Sequence, residues 1–150
     1  MPLKMDTILV PTDFSEDANK ALETAKSLAG TFGSRIVLLH AYHLELPFVA
    51  PAMGGPVILP EGFYVEYRTH ATLEVERAAK AASTPEITVS GVAVESPPWQ
   101  AIIDQAEALP ADLIVMGTRG LTGLKHIALG STAERVVRSA SCPVLTVKAH

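Results

Sequence analysis

At 150 residues the chain has the length of one domain, enough to bury a core without metal or disulfide staples. Apolar residues make up 48% and charged residues 19%, which excludes a disordered composition, and a formal charge of −4 without a dense Lys/Arg cluster argues against nucleic acid or an anionic membrane as partner.

In chain order, Ile8, Leu9 and Val10 before Pro11 predict a first strand, buried on both faces. Ala18, Ala21, Leu22, Ala25, Leu28, Ala29 and Phe32 recur at helical spacing, with Ser15 or Asp13 available as N-cap and Gly33 placed to end the helix. The run 36–39 before His40 predicts a second strand. Residues 45–62, ELPFVAPAMGGPVILPEG, hold four prolines and three glycines, too long for a routine connection, and read as a functional or mobile loop. Tyr64, Tyr67, Ala71, Val75, Ala78 and Ala82 place one apolar face on a helix over 61–83. A third strand is expected over 87–94, interrupted by Gly91.

Ser96 followed by Pro97 predicts a helix start, with Ile102, Ile103 and Ala106 continuing its apolar face until Leu109 and Pro110. The run 113–116 predicts a fourth strand. Ala133, Val136, Val137 and Ala140 predict a last helix, and 144–147 a fifth strand. Strands alternating with helices throughout imply an α/β fold, a doubly wound parallel sheet with helices on both faces, formed as one domain over 1–150.

Ligands of such sheets bind where strand order reverses, beyond the carboxyl ends of the strands. With an assumed order of 3-2-1-4-5, strands one and four flank that point, and Asp13 and Gly117 meet in one crevice. The segment 116–132, MGTRGLTGLKHIALGST, leaves strand four. Gly117 and Gly120 allow close backbone approach, Gly130 opens a helix whose first amides and dipole favour an anion, Ser131 and Thr132 add hydroxyl donors, and Arg119 and Lys125 add charge. A polyphosphate suits these groups together. The competing structural reading is a capping box between Ser131 and Glu134, which would satisfy two of the same amides internally. Neither Gly-Lys-Ser/Thr nor G-x-G-x-x-G occurs, so the segment is not a P-loop or a dinucleotide fingerprint.

Gly117, two residues, Gly120, nine residues, Gly130 and Ser131 form the pattern G-x2-G-x9-G-S/T, which resembles the nucleotide-binding motif of the ATP-binding branch of the universal stress protein family. ILVPTDFSEDANKALETA, IVLLHAY and GSTAERVVRSASCPVLTVK resemble that family in order and spacing, so the likeness covers nearly the whole chain. The resemblance implies a Rossmann-like, five-stranded parallel sheet of order 3-2-1-4-5. It also implies ATP, or AMP or ADP, as ligand, with magnesium bridging the phosphates, and a homodimer through the last strand, Val144 to Val147. Carried over by position, Pro11, Thr12 and Asp13 would lie against the nucleoside, the backbone of Ala41 against adenine, and Met116 and Gly117 near the ribose and α-phosphate. Gly120, Gly130, Ser131 and Thr132 would bind phosphates, with Arg119 and Lys125 as further candidates. Family members often carry Val where Ala41 stands, a change that a backbone contact tolerates.

Other residues read as structural. His40 is expected as a satisfied core histidine, Trp99 packs on its helix, and His70 and His126 lack a partner at metal-ligand spacing, so no metal site is expected from protein ligands alone. Cys142, the only cysteine, rules out an internal disulfide and reads as structural. No Ser/His/Asp arrangement, general base beside the glycines or HIGH-type motif is legible, so no catalytic residue is assigned. The expected function is an ATP-responsive stress or signalling module. The alternatives are a slow ATP hydrolase or adenylyl-transferring enzyme on the same fold, and a nucleotide-free interaction dimer. MPLKMDTILVPTDF lacks an apolar stretch followed by a cleavage site, and no run approaches the roughly 18 apolar residues of a membrane span, so a cytoplasmic location is expected.

Overall fold

The computed structural model describes residues 3–43, 59–119 and 129–149. Side chains alternate across each strand, and both sets of positions are apolar here. Ile8, Val10, Ile36, Leu38, Leu113 and Val115 point into one core, whereas Leu9, Val37, Leu39, Ile114 and Met116 point into another. Such strands need helices on both faces. The first core is closed by Ala21, Ala25 and Ala29 of α1 (Glu16–Phe32) and by Val75 and Ala79 of α2 (Glu61–Ala82). The second is closed by Ala101, Ile102 and Ala106 of α3 (Pro98–Ala108) and by Ala133 and Val136 of α4 (Ser131–Ser139).

The strands β1 (Thr7–Pro11), β2 (Arg35–Tyr42), β3 (Val89–Glu95), β4 (Leu113–Gly117) and β5 (Val144–Val147) form one parallel sheet of order β3-β2-β1-β4-β5. The order reverses between β1 and β4. Pairing of β1 to β2 runs on to Pro11 and Leu39, but pairing of β1 to β4 stops at Leu9 and Ile114. The two strands therefore part toward their carboxyl ends, at the reversal point.

Some local features meet the sequence expectations, and others depart from them for physical reasons. Ser15 is the N-cap of α1, its side chain accepting from the amide of Ala18, and Gly33 ends the helix at φ 72°. Beyond β3 the ladder reaches Ser96, whose amide donates to the carbonyl of Tyr42 at 3.0 Å. Ser96 is thus held by the sheet and cannot cap α3, which begins later, with Pro97 as N-cap and Pro98 as its first residue. Ile87 is held in a turn by Thr84, so β3 starts at Val89. Only the later part of α2 lies on the sheet, burying Ala71, Val75, Ala79 and Ala82, while Tyr64 is exposed. Gly91 does not interrupt β3; a Cβ there would stand 2.7 Å from the carbonyl oxygen of Val75, so the glycine lets α2 press directly onto the strand. The expected loop over 45–62 lies mostly outside the described residues.

Candidate functional site

The turn after β1 is built by short side chains folding back on their own backbone. The Thr12 hydroxyl accepts from the amide of Phe14, and Asp13 Oδ1 accepts from the amide of Ser15, each at 3.0 Å. These are the local bonds that Thr and Asp favour in turns. Between them Phe14 adopts φ 63°, a left-handed conformation uncommon for an aromatic residue and of the kind that clusters at ligand clamps. Its ring meets that of His40 at 4.8 Å, and His40 Nδ1 lies 3.2 Å from the carbonyl of Thr12. The amide of Thr12 donates to Leu39 at 2.8 Å. Turn and β2 are thus tied together, and His40 is partnered as the sequence predicts, though half-buried rather than in the core.

On the other wall, β4 ends at Gly117, where a Cβ would come within 2.8 Å of Asp17 Cβ and 2.9 Å of the Asp17 carbonyl carbon. Gly117 is therefore required by the approach of α1. Asp17 is buried, and its Oδ2 accepts from the Thr118 hydroxyl at 3.3 Å and from the Arg119 amide at 3.2 Å. The same oxygen stands 3.5 Å from Arg119 Nε. Two donors, the neighbouring guanidinium and the amino end of α1 offset the cost of burying this charge. Asp17 and Thr118 are the components that the sequence reading missed; Asp17 looks there like an ordinary acidic residue in a helix first turn.

The start of α4 seats against this wall. The amide of Gly130 donates to the Thr118 carbonyl at 2.6 Å, so the chain leaving β4 and the chain entering α4 are clasped together. The capping box expected between Ser131 and Glu134 is not formed. Gly130 is itself the N-cap at φ −69°, Ser131 is already the first helical residue, and among the described residues no side-chain cap bond is made. Glu134 instead pairs with Arg138 at 2.7 Å, one turn further along. The first intrahelical bond runs from the Glu134 amide to the Gly130 carbonyl, so the amides of Ser131, Thr132 and Ala133 have no intrahelical acceptor. An uncapped helix amino end with Gly130 in place of a side chain is an anion-binding arrangement.

Pro11, Thr12, Asp13, Ala41, Gly117, Arg119, Gly130, Ser131 and Thr132 all stand at or beyond the carboxyl edge of the sheet, at the ends of β1, β2 and β4 and the start of α4. The Met116 side chain packs in the second core and is 5% exposed, which leaves its backbone for any ligand contact. Gly120, Lys125 and His126 lie outside the described residues. Trp99 packs beside the second core with Arg135 of α4 4.5 Å above its ring, and His70 stands exposed 3.9 Å from Glu74. Cys142 is half-buried, and burial first, then the Asp112 carboxylate, pushes its thiol up, partly offset by a hydrogen bond from its own backbone. No helix among the described residues is long and apolar enough to cross a membrane.

A parallel sheet of this order, parting at its reversal point with helices on both faces, defines a Rossmann-like fold. Residues 4–148 match the universal stress protein family, and the chain belongs to that family. It is 36% identical over 142 residues to universal stress protein MJ0531 of Methanocaldococcus jannaschii, covering 94% of this chain and 81% of that protein. A universal stress protein of Thermus aquaticus is 37% identical, covering 95% and 98%. Among solved structures, hypothetical protein MJ0577 superposes with a TM-score of 0.74 at 31% identity, covering 95% of each chain. A universal stress protein in complex with cAMP superposes with a TM-score of 0.62 at 26% identity, covering 97% of this chain and 98% of that one.

Proposed function

We propose that this protein is an ATP-binding universal stress protein, one whose nucleotide state biases its contacts with other molecules. The observation that carries the reading is the uncapped start of α4, held by Gly130 against the exit of β4 beside the β1/β4 gap. In support, a Cβ at Gly130 would stand 3.2 Å from the Thr118 carbonyl, so a larger side chain would crowd the cradle that the amides need. The cAMP complex of a relative adds an adenine nucleotide as a ligand class for such a fold.

In this reading the phosphates lie on the amides and hydroxyls of Ser131 and Thr132, with Gly120 and Gly130 giving close approach. Pro11, Thr12 and Asp13 meet the ribose, and the Ala41 backbone meets adenine. Magnesium, when bound, would be held by the nucleotide rather than by protein ligands and would offset the charge of the phosphates. No protein group is assigned to attack a phosphate, and hydrolysis, where it occurs, is slow. The chain works as one domain in the cytoplasm and as a homodimer through β5. Nucleotide that binds only the folded, closed form stabilises that form by linkage.

The test is a mass spectrum of small molecules released by denaturing the purified protein, alongside equilibrium dialysis with labelled ATP. An adenine nucleotide in the released fraction and saturable uptake are expected. No uptake at millimolar ATP, with and without magnesium, would refute the reading.

A further inference from the structure

Asp17 has an arrangement that helix capping alone does not account for. One oxygen, Oδ2, gathers the Thr118 hydroxyl, the Arg119 amide and Arg119 Nε. The Asp17 and Arg119 side chains are 9% and 16% exposed, so the pair is largely shielded from water. The ion-pair contact at Nε and the hydrogen bond from its own amide tie Arg119 to Asp17 at two points. Among the described residues the carboxylate contact of the guanidinium runs through Nε, to Asp17 Oδ2. The Arg119 Cα lies 3.7 Å from where a Gly130 Cβ would stand, which sets Arg119 immediately beside the uncapped start of α4. A guanidinium offers its fork to phosphate most effectively when its rotamer is already held, because less side-chain entropy is lost on binding.

We infer that Asp17 is a positioning residue for phosphate recognition: it acts through Arg119, holding the guanidinium by Nε so that Nη1 and Nη2 serve the phosphate chain at the start of α4. This rests on the nucleotide-binding reading above and adds to it a residue outside the glycine motif. The adenosine part of the ligand lies on the β1 and β2 wall and does not depend on the pair. Asp17 therefore contributes to the preference for a phosphorylated nucleoside over a bare one.

The experiment measures ATP and adenosine affinities for wild type, Asp17→Asn, Arg119→Ala and the double variant, with folding checked by thermal melting. Asp17→Asn is expected to weaken ATP about tenfold and adenosine less than about twofold, Arg119→Ala to do the same, and the double variant to lose no more than either single one. Equal losses for ATP and adenosine, additive losses in the double variant, or unchanged ATP affinity would overturn the inference while leaving ATP binding itself in place. A wild type that binds neither ligand overturns both the nucleotide reading and the inference. Should Asp17→Asn fail to fold, Arg119→Lys decides: it keeps the charge but loses the Nε contact and the fork, so it is expected to lose ATP affinity selectively, and wild-type affinity would overturn the inference.

Discussion

Gly117 at the end of β4 and Asp17 in the first turn of α1 are in direct contact: a Cβ on the glycine would stand 2.8 Å from Asp17 Cβ and 2.9 Å from its carbonyl carbon. The second of these is backbone, which cannot rotate aside. Gly117→Ala is expected to destabilise the fold by about 1–3 kcal/mol, the usual cost of overpacking. Among the described residues Gly130→Ala meets the Thr118 carbonyl at 3.2 Å and Arg119 Cα at an ordinary 3.7 Å, and should cost less. Denaturant unfolding of both variants checks the order; equal stabilities would mean that α1 has slack against β4.

The link that Asp17 makes between α1 and the exit of β4 also predicts a stability effect apart from any ligand. Asp17→Ala leaves the Thr118 hydroxyl and the Arg119 guanidinium without their buried acceptor, and a loss of about 2–3 kcal/mol is expected, in the range for hydrogen bonds to a charged group. Urea unfolding measures it. A loss below about 0.5 kcal/mol, the size usual for surface changes, would mean that the pair is solvated.

Cys142 gives a pH prediction. Its thiol is raised, chiefly by burial, so at any given pH less thiolate is present than in an unfolded chain. Alkylation of the folded protein should be slow near neutrality, with its pH profile displaced to the alkaline side of the denatured protein's. The folded state holds this proton more tightly, so the associated stability is present below the ordinary thiol pKa and lost as pH rises through the raised one. A folded profile on the acid side of the denatured one would contradict the assigned cause.

β5 lies at the edge of the sheet, next to β4 alone, and Leu145 on it is 38% exposed. An apolar open edge is a template for pairing with a second copy. Light scattering should show a dimer for wild type and a monomer for Leu145→Lys; a dimer that survives this charge would move the interface elsewhere.

Much of this molecule was legible from sequence because its signals are local. Runs such as Ile8 to Val10 and the helical spacing of Ala18 to Ala29 each state their own burial. Contacts between distant residues were not legible. Asp17 and Thr118 are separated by 101 positions, and nothing near Asp17 distinguishes it from a routine acidic residue at a helix start. The competing capping-box reading of Ser131 misled for the opposite reason. Its spacing to Glu134 fits a capping box, but the clasp from Gly130 to Thr118 sets the helix start one residue earlier. Tyr64 has the period of a buried position yet lies on a stretch of α2 that the sheet does not reach.

The central claim is that the open start of α4 beside Gly130 holds the phosphates of ATP. Titration calorimetry of ATP with magnesium into wild type and Gly130→Val tests it most directly, because Gly130 has φ −69° and the change introduces no left-handed strain. The account predicts saturable binding to wild type and none to the variant, with both proteins melting cooperatively. Undiminished affinity in a folded Gly130→Val protein would contradict it.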